Sequence, residues 1–175
     1  CPSNASSMSI TVNSGPGTAT AGANQTLCIS TGSTIVIGNV PAPGTGSWTV
    51  LSGTATIVSP STPTSQITGL TVGTHILRWT LSNGACSNSA TMSIQVDDLP
   101  GVANAGSNQT LCINSPSTTL AAVSPTIGTA TWSVLTGNGV IGNTISPTSS
   151  VSALSSGTNI LQWRVSNGVC APNLS

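Results

Sequence analysis

Ten side chains make up the whole chemical repertoire of this 175-residue chain: Cys1, Cys28, Cys86, Cys112, Cys170, His75, Arg78, Arg164, Asp97 and Asp98. Cysteines and a histidine can hold zinc, or a histidine can activate a cysteine as a nucleophile. The spacing opposes both. Zinc takes four ligands, usually from close cysteine pairs or from cysteine with histidine. Here Cys28 and Cys86 stand 58 positions apart, as do Cys112 and Cys170. A nucleophilic cysteine needs a neighbouring base, and His75 gives way to an asparagine, Asn159, at the matching place in the second half of the chain. Acid–base and glycosidic chemistry need carboxylates facing each other across a cleft. Asp97 and Asp98 are adjacent, so on an extended strand they point to opposite sides. One acidic pair also falls far short of the six to eight oxygens that calcium takes. The expectation is therefore no catalytic residue, no metal ligand, no cofactor and no enzyme activity. Asp97 and Asp98 read as a solvated joint, stiffened by Pro100 and turned by Gly101.

The elements that position these residues are organised by a repeat. Residues 24–28 and 108–112 both read NQTLC. A shift of 84 superposes Cys28 on Cys112, Trp48 on Trp132, Trp79 on Trp163 and Cys86 on Cys170 without a gap. About 30 of the 70 positions in 22–91 are identical to their partners in 106–175, which marks a duplication. The register extends backwards: Met8, Ile10 and Val12 stand 84 before Met92, Ile94 and Val96. Residues 1–13 thus read as the closing strand of a preceding repeat, 14–98 as a full repeat, and 99–175 as a second that lacks its last strand. Two accounts of those ends stay open: continuation into further repeats, or addition of residues 6–13 of one molecule to the last domain of another.

Short β-branched runs separated by Gly, Pro, Asn and Ser clusters, at intervals of roughly 8 to 12 residues, are strand signals. In HILRWTLS, Leu77, Trp79 and Leu81 share one face; Leu161, Trp163 and Val165 share it in NILQWRVS. Trp48 and Trp132 fall in phase with Val50 and Val134 on another strand. All four tryptophans are expected in the core, with Leu27 and Leu111, while Arg78 and Arg164 face outward. SNGAC and SNGVC place Asn-Gly where a hairpin of type I′ is favoured, because both of its central residues need positive φ. The fold class is all-β: tandem immunoglobulin-like sandwiches of about 84 residues and seven strands each. A small up-and-down barrel is the alternative.

Each full repeat has one cysteine ending NQTLC and one after the Asn-Gly hairpin. Because the pair recurs with the repeat, the expected disulfides are Cys28–Cys86 and Cys112–Cys170, each closing its own domain and contributing roughly 4 kcal/mol by loop entropy. Cys1 would then pair upstream. Disulfides point to an oxidising, extracytoplasmic location.

The segments ANAGSNQTLC (103–112), GTATWSVLTG (128–137) and GTNILQWRVSNGVC (157–170) resemble the Ig-like or PKD-like repeats of very long cell-surface proteins of Bacteroidota, among them gliding-motility adhesins and other type 9 secreted proteins. The resemblance covers nearly the whole chain. It implies an extracellular adhesin or surface filament in which these repeats form a stalk on the bacterial cell surface. The expected partners are further repeats of the same chain or neighbouring subunits, with surface glycans as the partners of an alternative glycan- or protein-binding module. Zero formal charge with no basic cluster argues against nucleic acid, and no run reaches the ~18 apolar residues of a membrane span. Exposed tryptophans would favour sugar stacking, but these four are in core phase. Threonines such as those of TAT at 18–20, 54–56 and 129–131 follow no short period, which disfavours a flat ice-binding array.

Overall fold

A computed structural model describes residues 4–175, so Cys1 and its upstream pairing lie outside the described residues. The chain divides into two compact units: residues 1–25 with 32–95, and residues 26–31 with 96–175. This division departs from the repeat boundaries at one place, since the six residues 26–31 of the first sequence repeat count with the second unit.

The first repeat forms seven strands: β1 (Gln25–Cys28), β2 (Thr34–Ile37), β3 (Thr45–Ser52), β4 (Thr56–Ile57), β5 (Thr64–Thr68), β6 (Gly73–Asn83) and β7 (Cys86–Asp97). They make one sheet in the order β1-β7-β6-β3 and another in the order β2-β5-β4, the two layers of an immunoglobulin-like sandwich. Alternation decides which residues go inside. His75, Leu77, Trp79 and Leu81 of β6 are buried, as are Met92, Ile94 and Val96 of β7; from the other sheet come Val36 and Ile67, both fully buried. Antiparallel register sets Trp48 directly opposite Trp79, with ring centroids 5.1 Å apart and planes tilted by 41°. Such tilted pairs contribute about 0.5–1.5 kcal/mol beyond their burial. Each indole N–H, costly if left unpaired, donates to a carbonyl: Trp48 to Pro63 at 3.0 Å and Trp79 to Asn39 at 3.1 Å.

The second unit repeats the plan with six described strands: β8 (Thr118–Thr119), β9 (Thr129–Thr136), β10 (Val140–Ile141), β11 (Ser150–Ser152), β12 (Ile160–Ser166) and β13 (Asn173–Leu174). Their sheets run β10-β11-β8 and β13-β12-β9. Trp132 and Trp163 pair across β9 and β12 with centroids 5.0 Å apart, and their N–H groups reach the carbonyls of Ser146 and Val123 at 3.1 Å each. Ala103, Leu120, Val151 and Val165 complete this core. All four tryptophans are buried. The two NQTLC leucines differ from the core reading: Leu27 is half-buried and Leu111 is 42% exposed. Residues 109–112, the counterpart of β1, form no strand.

Candidate functional site

The Asn-Gly hairpins do not adopt the expected type I′ turn. Gly84 and Gly168 have φ of 57° and 51°, but Asn83 and Asn167 are not among the residues with positive φ. The asparagine side chains are used instead to grip the joint that precedes their own repeat. In the first unit, Asn83 Nδ2 donates to the Ser14 carbonyl at 3.0 Å, and Cys86 Sγ lies 3.8 Å from the Asn13 carbonyl oxygen. In the second, Asn167 Nδ2 donates to the Asp98 carbonyl at 2.9 Å, and Cys170 Sγ lies 3.5 Å from the Asp97 carbonyl oxygen. A shift of 84 converts one set into the other.

Glycine is required at the tip for two reasons. Its φ is in the left-handed region, which costs other residues about 1–2 kcal/mol. A Cβ there would also collide with Asn13 at Gly84 and with the Asp97 carboxylate at Gly168. Asp97 is thus more than a solvated spacer: its Oδ2 accepts from Val169 N–H at 3.0 Å, while Asp98 Oδ1 accepts from Leu99 N–H at 2.8 Å. The first joint, with Asn13 and Ser14 in their places, makes the same asparagine-to-carbonyl clamp, so the missing acid does not change this contact. Among the described residues, no group of three or more His, Cys, Asp or Glu side chains comes together.

The disulfide pairing differs from the expected one. Cys28 is bonded to Cys170, 142 residues away with Cα atoms 4.8 Å apart, and Cys86 and Cys112 are free. Neither Cys28–Cys86 nor Cys112–Cys170 forms. The reason is the length of β7. Cys86 begins that strand and Asp97 ends it, about 36 Å apart at strand rise. Cys28 sits at the Asp97 end, bonded to the cysteine that touches the Asp97 carbonyl. A disulfide requires Cα atoms within about 7 Å, so Cys86 is out of reach. Recurrence with a period of 84 fixes only that a bond repeats. A separation of 58, or of 58 plus one period, satisfies it equally, and the structure takes the second, joining successive sequence repeats.

His75 has a structural task. Its Nε2 lies 2.7 Å from the Thr71 carbonyl, an acceptor, so Nε2 carries the proton and donates. Asn159, its counterpart, donates to the Ser155 carbonyl at 2.8 Å, at the position equivalent to Thr71. Imidazole and amide thus fasten the same turn in the two repeats, and His75, at 1% exposure, does not face an open cleft.

Two immunoglobulin-like sandwiches in tandem, clamped at recurring joints, define the class of fold. Three solved structures are similar to the chain. The chain is similar to consecutive domains of titin, at 15% identity and a TM-score of 0.50, covering 93% of this chain and 64% of that one. A PKD domain of human KIAA0319 matches at 17% identity and a TM-score of 0.40, over 54% of this chain and 88% of that one. A SusE-like, surface-located polysaccharide-binding protein from the Bacteroides thetaiotaomicron heparin utilisation locus matches at 10% identity and 0.35, over 87% and 31%. Of these, the titin likeness, at 15% identity, shows the fold alone. No protein-family model and no curated protein matches the chain.

Proposed function

We propose that this chain is a structural segment of an extracellular adhesin or surface filament, of the gliding-motility type found in Bacteroidota, whose repeats act as a stalk. The observation that carries the reading is the joint. The same asparagine clamp recurs at both joints, and a disulfide fastens successive repeats at one of them. Ties that recur with the repeat suit a chain built to bear load. An enzyme or a pocket binder would concentrate its polar groups in a cleft instead. A disulfide suits an oxidising location outside the cytoplasm, and among the described residues no helix is long and apolar enough to cross a membrane. All four tryptophans are buried, and Tyr and Phe are absent from the sequence, so the described surface offers sugars no aromatic platform. No catalytic role is assigned to any residue.

Pulling single molecules by their two ends tests the stalk reading. With Cys28–Cys170 intact, the 142-residue loop is shielded, and about 12 nm of chain is released at ~3.6 Å per residue; reduction raises this to about 60 nm. Saturable binding on a glycan array, lost when a loop is mutated, would favour the alternative of a binding module.

A further inference from the structure

Residues 14–24 open the first repeat without forming a strand. They are nonetheless seated, with Ala19 and Ala21 only 6% and 3% exposed, and side-chain amides hold them where a ladder would. Asn88 Oδ1 accepts from Ala19 N–H at 2.8 Å. Asn39 closes a ring around Ala19: its Oδ1 accepts from Thr20 N–H at 2.8 Å, and its Nδ2 donates to the Thr18 carbonyl at 2.9 Å. Farther along, Asn24 Oδ1 accepts from Ser93 N–H at 2.9 Å, and Gln25 Nε2 donates to the Ile35 carbonyl at 2.9 Å. Asn88 and Ser93 lie on β7 and Ile35 on β2, so the segment is tied to both sheets.

Asn39 uses its main chain as well. Its N–H donates to the Thr20 carbonyl at 3.2 Å, and its carbonyl accepts the Trp79 indole N–H. One residue thus links the opening segment to the core tryptophan pair. In the second repeat Val123 stands in its place. The main-chain half survives there: Val123 N–H donates to the Asn104 carbonyl at 2.9 Å, and the Val123 carbonyl accepts from Trp163. The side-chain half cannot form, because valine has no polar atom to offer. Val102, at the position of Thr18, is 80% exposed.

The disulfide gives this difference a consequence. Tension that enters at residue 14 runs along the chain to Cys28 and crosses the bond to Cys170, so residues 29–169 carry none of it. The opening segment of the first repeat is in the load path, and that of the second lies inside the shielded loop. The side-chain ring is present where the load passes and missing where the disulfide bypasses it. Burial contributes little to holding the segment, since two alanine methyls are small beside the Trp48, Leu77, Trp79 and Ile94 side chains that stay covered by other strands. A segment held by hydrogen bonds at the surface of a packed core is one that opens locally.

We propose that Asn39 and Asn88 form a latch on residues 18–20 that yields as one unit under tension, freeing residues 14–25 while β2 to β7 stay folded, with the Cys28–Cys170 bond as the stop. Its use as a load-bearing device rests on the stalk reading; its opening as a unit does not. Ala19 sits between the two contacts of Asn39, so it cannot leave before they part.

Hydrogen exchange of the full-length, disulfide-bonded chain, resolved to single amides, tests the latch, and an optical trap tests its loading. Asn39→Val places in the first repeat the residue that the second already carries. It removes the acceptor of Thr20 N–H and leaves Asn88, the acceptor of Ala19 N–H, in place. Ala19 should nevertheless exchange about fivefold faster, the ratio that one hydrogen bond of ordinary net strength represents, while the Leu77 and Trp79 amides keep the parent rate. Asn88→Ala should do the converse and speed Thr20. In the trap, at constant force with the disulfide intact, the step that frees residues 14–25 spans at most about 4 nm at ~3.6 Å per residue. It should come about fivefold sooner in Asn39→Val. Exchange that quickens only at the amide whose acceptor was removed, or equally at Leu77 and Trp79, would overturn the proposal, as would a step lifetime indifferent to Asn39→Val. Saturable glycan binding by the chain would count against the stalk reading and leave the exchange result untouched.

Discussion

Replacing each cysteine with serine separates the observed pairing from the within-repeat scheme by energy alone. In the chain-entropy account, closing the 142-residue loop between Cys28 and Cys170 lowers the entropy of the denatured chain by about 17 cal/mol/K, or about 5 kcal/mol at 25 °C. Cys28→Ser and Cys170→Ser should each forfeit that amount, and the double variant should lose no more, because both single changes remove one bond. Cys86→Ser and Cys112→Ser should fall within about 0.5 kcal/mol of the parent, as for surface positions free of such features. Urea unfolding at low protein concentration, monitored by tryptophan fluorescence, reads the parent and all five variants. The m-value should rise in the Cys28 and Cys170 variants, because an uncrosslinked denatured chain exposes more surface. Under the within-repeat scheme all four single variants would lose about 4 kcal/mol. Equal destabilisation by Cys86→Ser and Cys28→Ser would therefore refute the reasoning.

Other consequences are local. Gly168→Ala should destabilise the second unit by at least about 1–2 kcal/mol from its left-handed backbone, more as the new methyl meets the Asp97 carboxylate; thermal melting reads the loss. Asn167→Ala, which removes the donor to the Asp98 carbonyl, should cost about 1 kcal/mol, and faster proteolysis at the 97–101 joint should accompany it. His75→Asn should be tolerated better than His75→Ala in urea unfolding, since Asn159 already makes the equivalent bond in the second repeat. Trp163→Ala, opening a void beneath a fully buried indole, should cost about 3–5 kcal/mol.

The all-β fold was legible because its signals are local. Alternation in HILRWTLS placed Leu77, Trp79 and Leu81 inside, and the repeat transferred that reading to Leu161, Trp163 and Val165. The last three are less uniform, since Leu161 is half-buried. The cysteine pairing was not legible, because a period of 84 is indifferent to which repeat supplies the partner. Only the lie of Cys28 at the far end of β7 decides it. Leu111 was misplaced for a related reason: its five-residue segment is identical to that of Leu27, so the letters alone could not separate an exposed leucine from a half-buried one. The asparagines of the hairpins carried a turn signal that proved to be a clamp signal. Asn-Gly suits both, and the glycine alone takes the left-handed conformation. The role of Asp97 left one trace, its place directly before the residue whose carbonyl Asn167 holds.

Peptide mapping of the unreduced chain tests the central claim, that the staple joins successive repeats. After alkylation and digestion of dilute protein, the peptides containing Cys28 and Cys170 should be recovered linked, with Cys86 and Cys112 alkylated. Recovery of Cys28 linked to Cys86, together with Cys112 linked to Cys170, would contradict it.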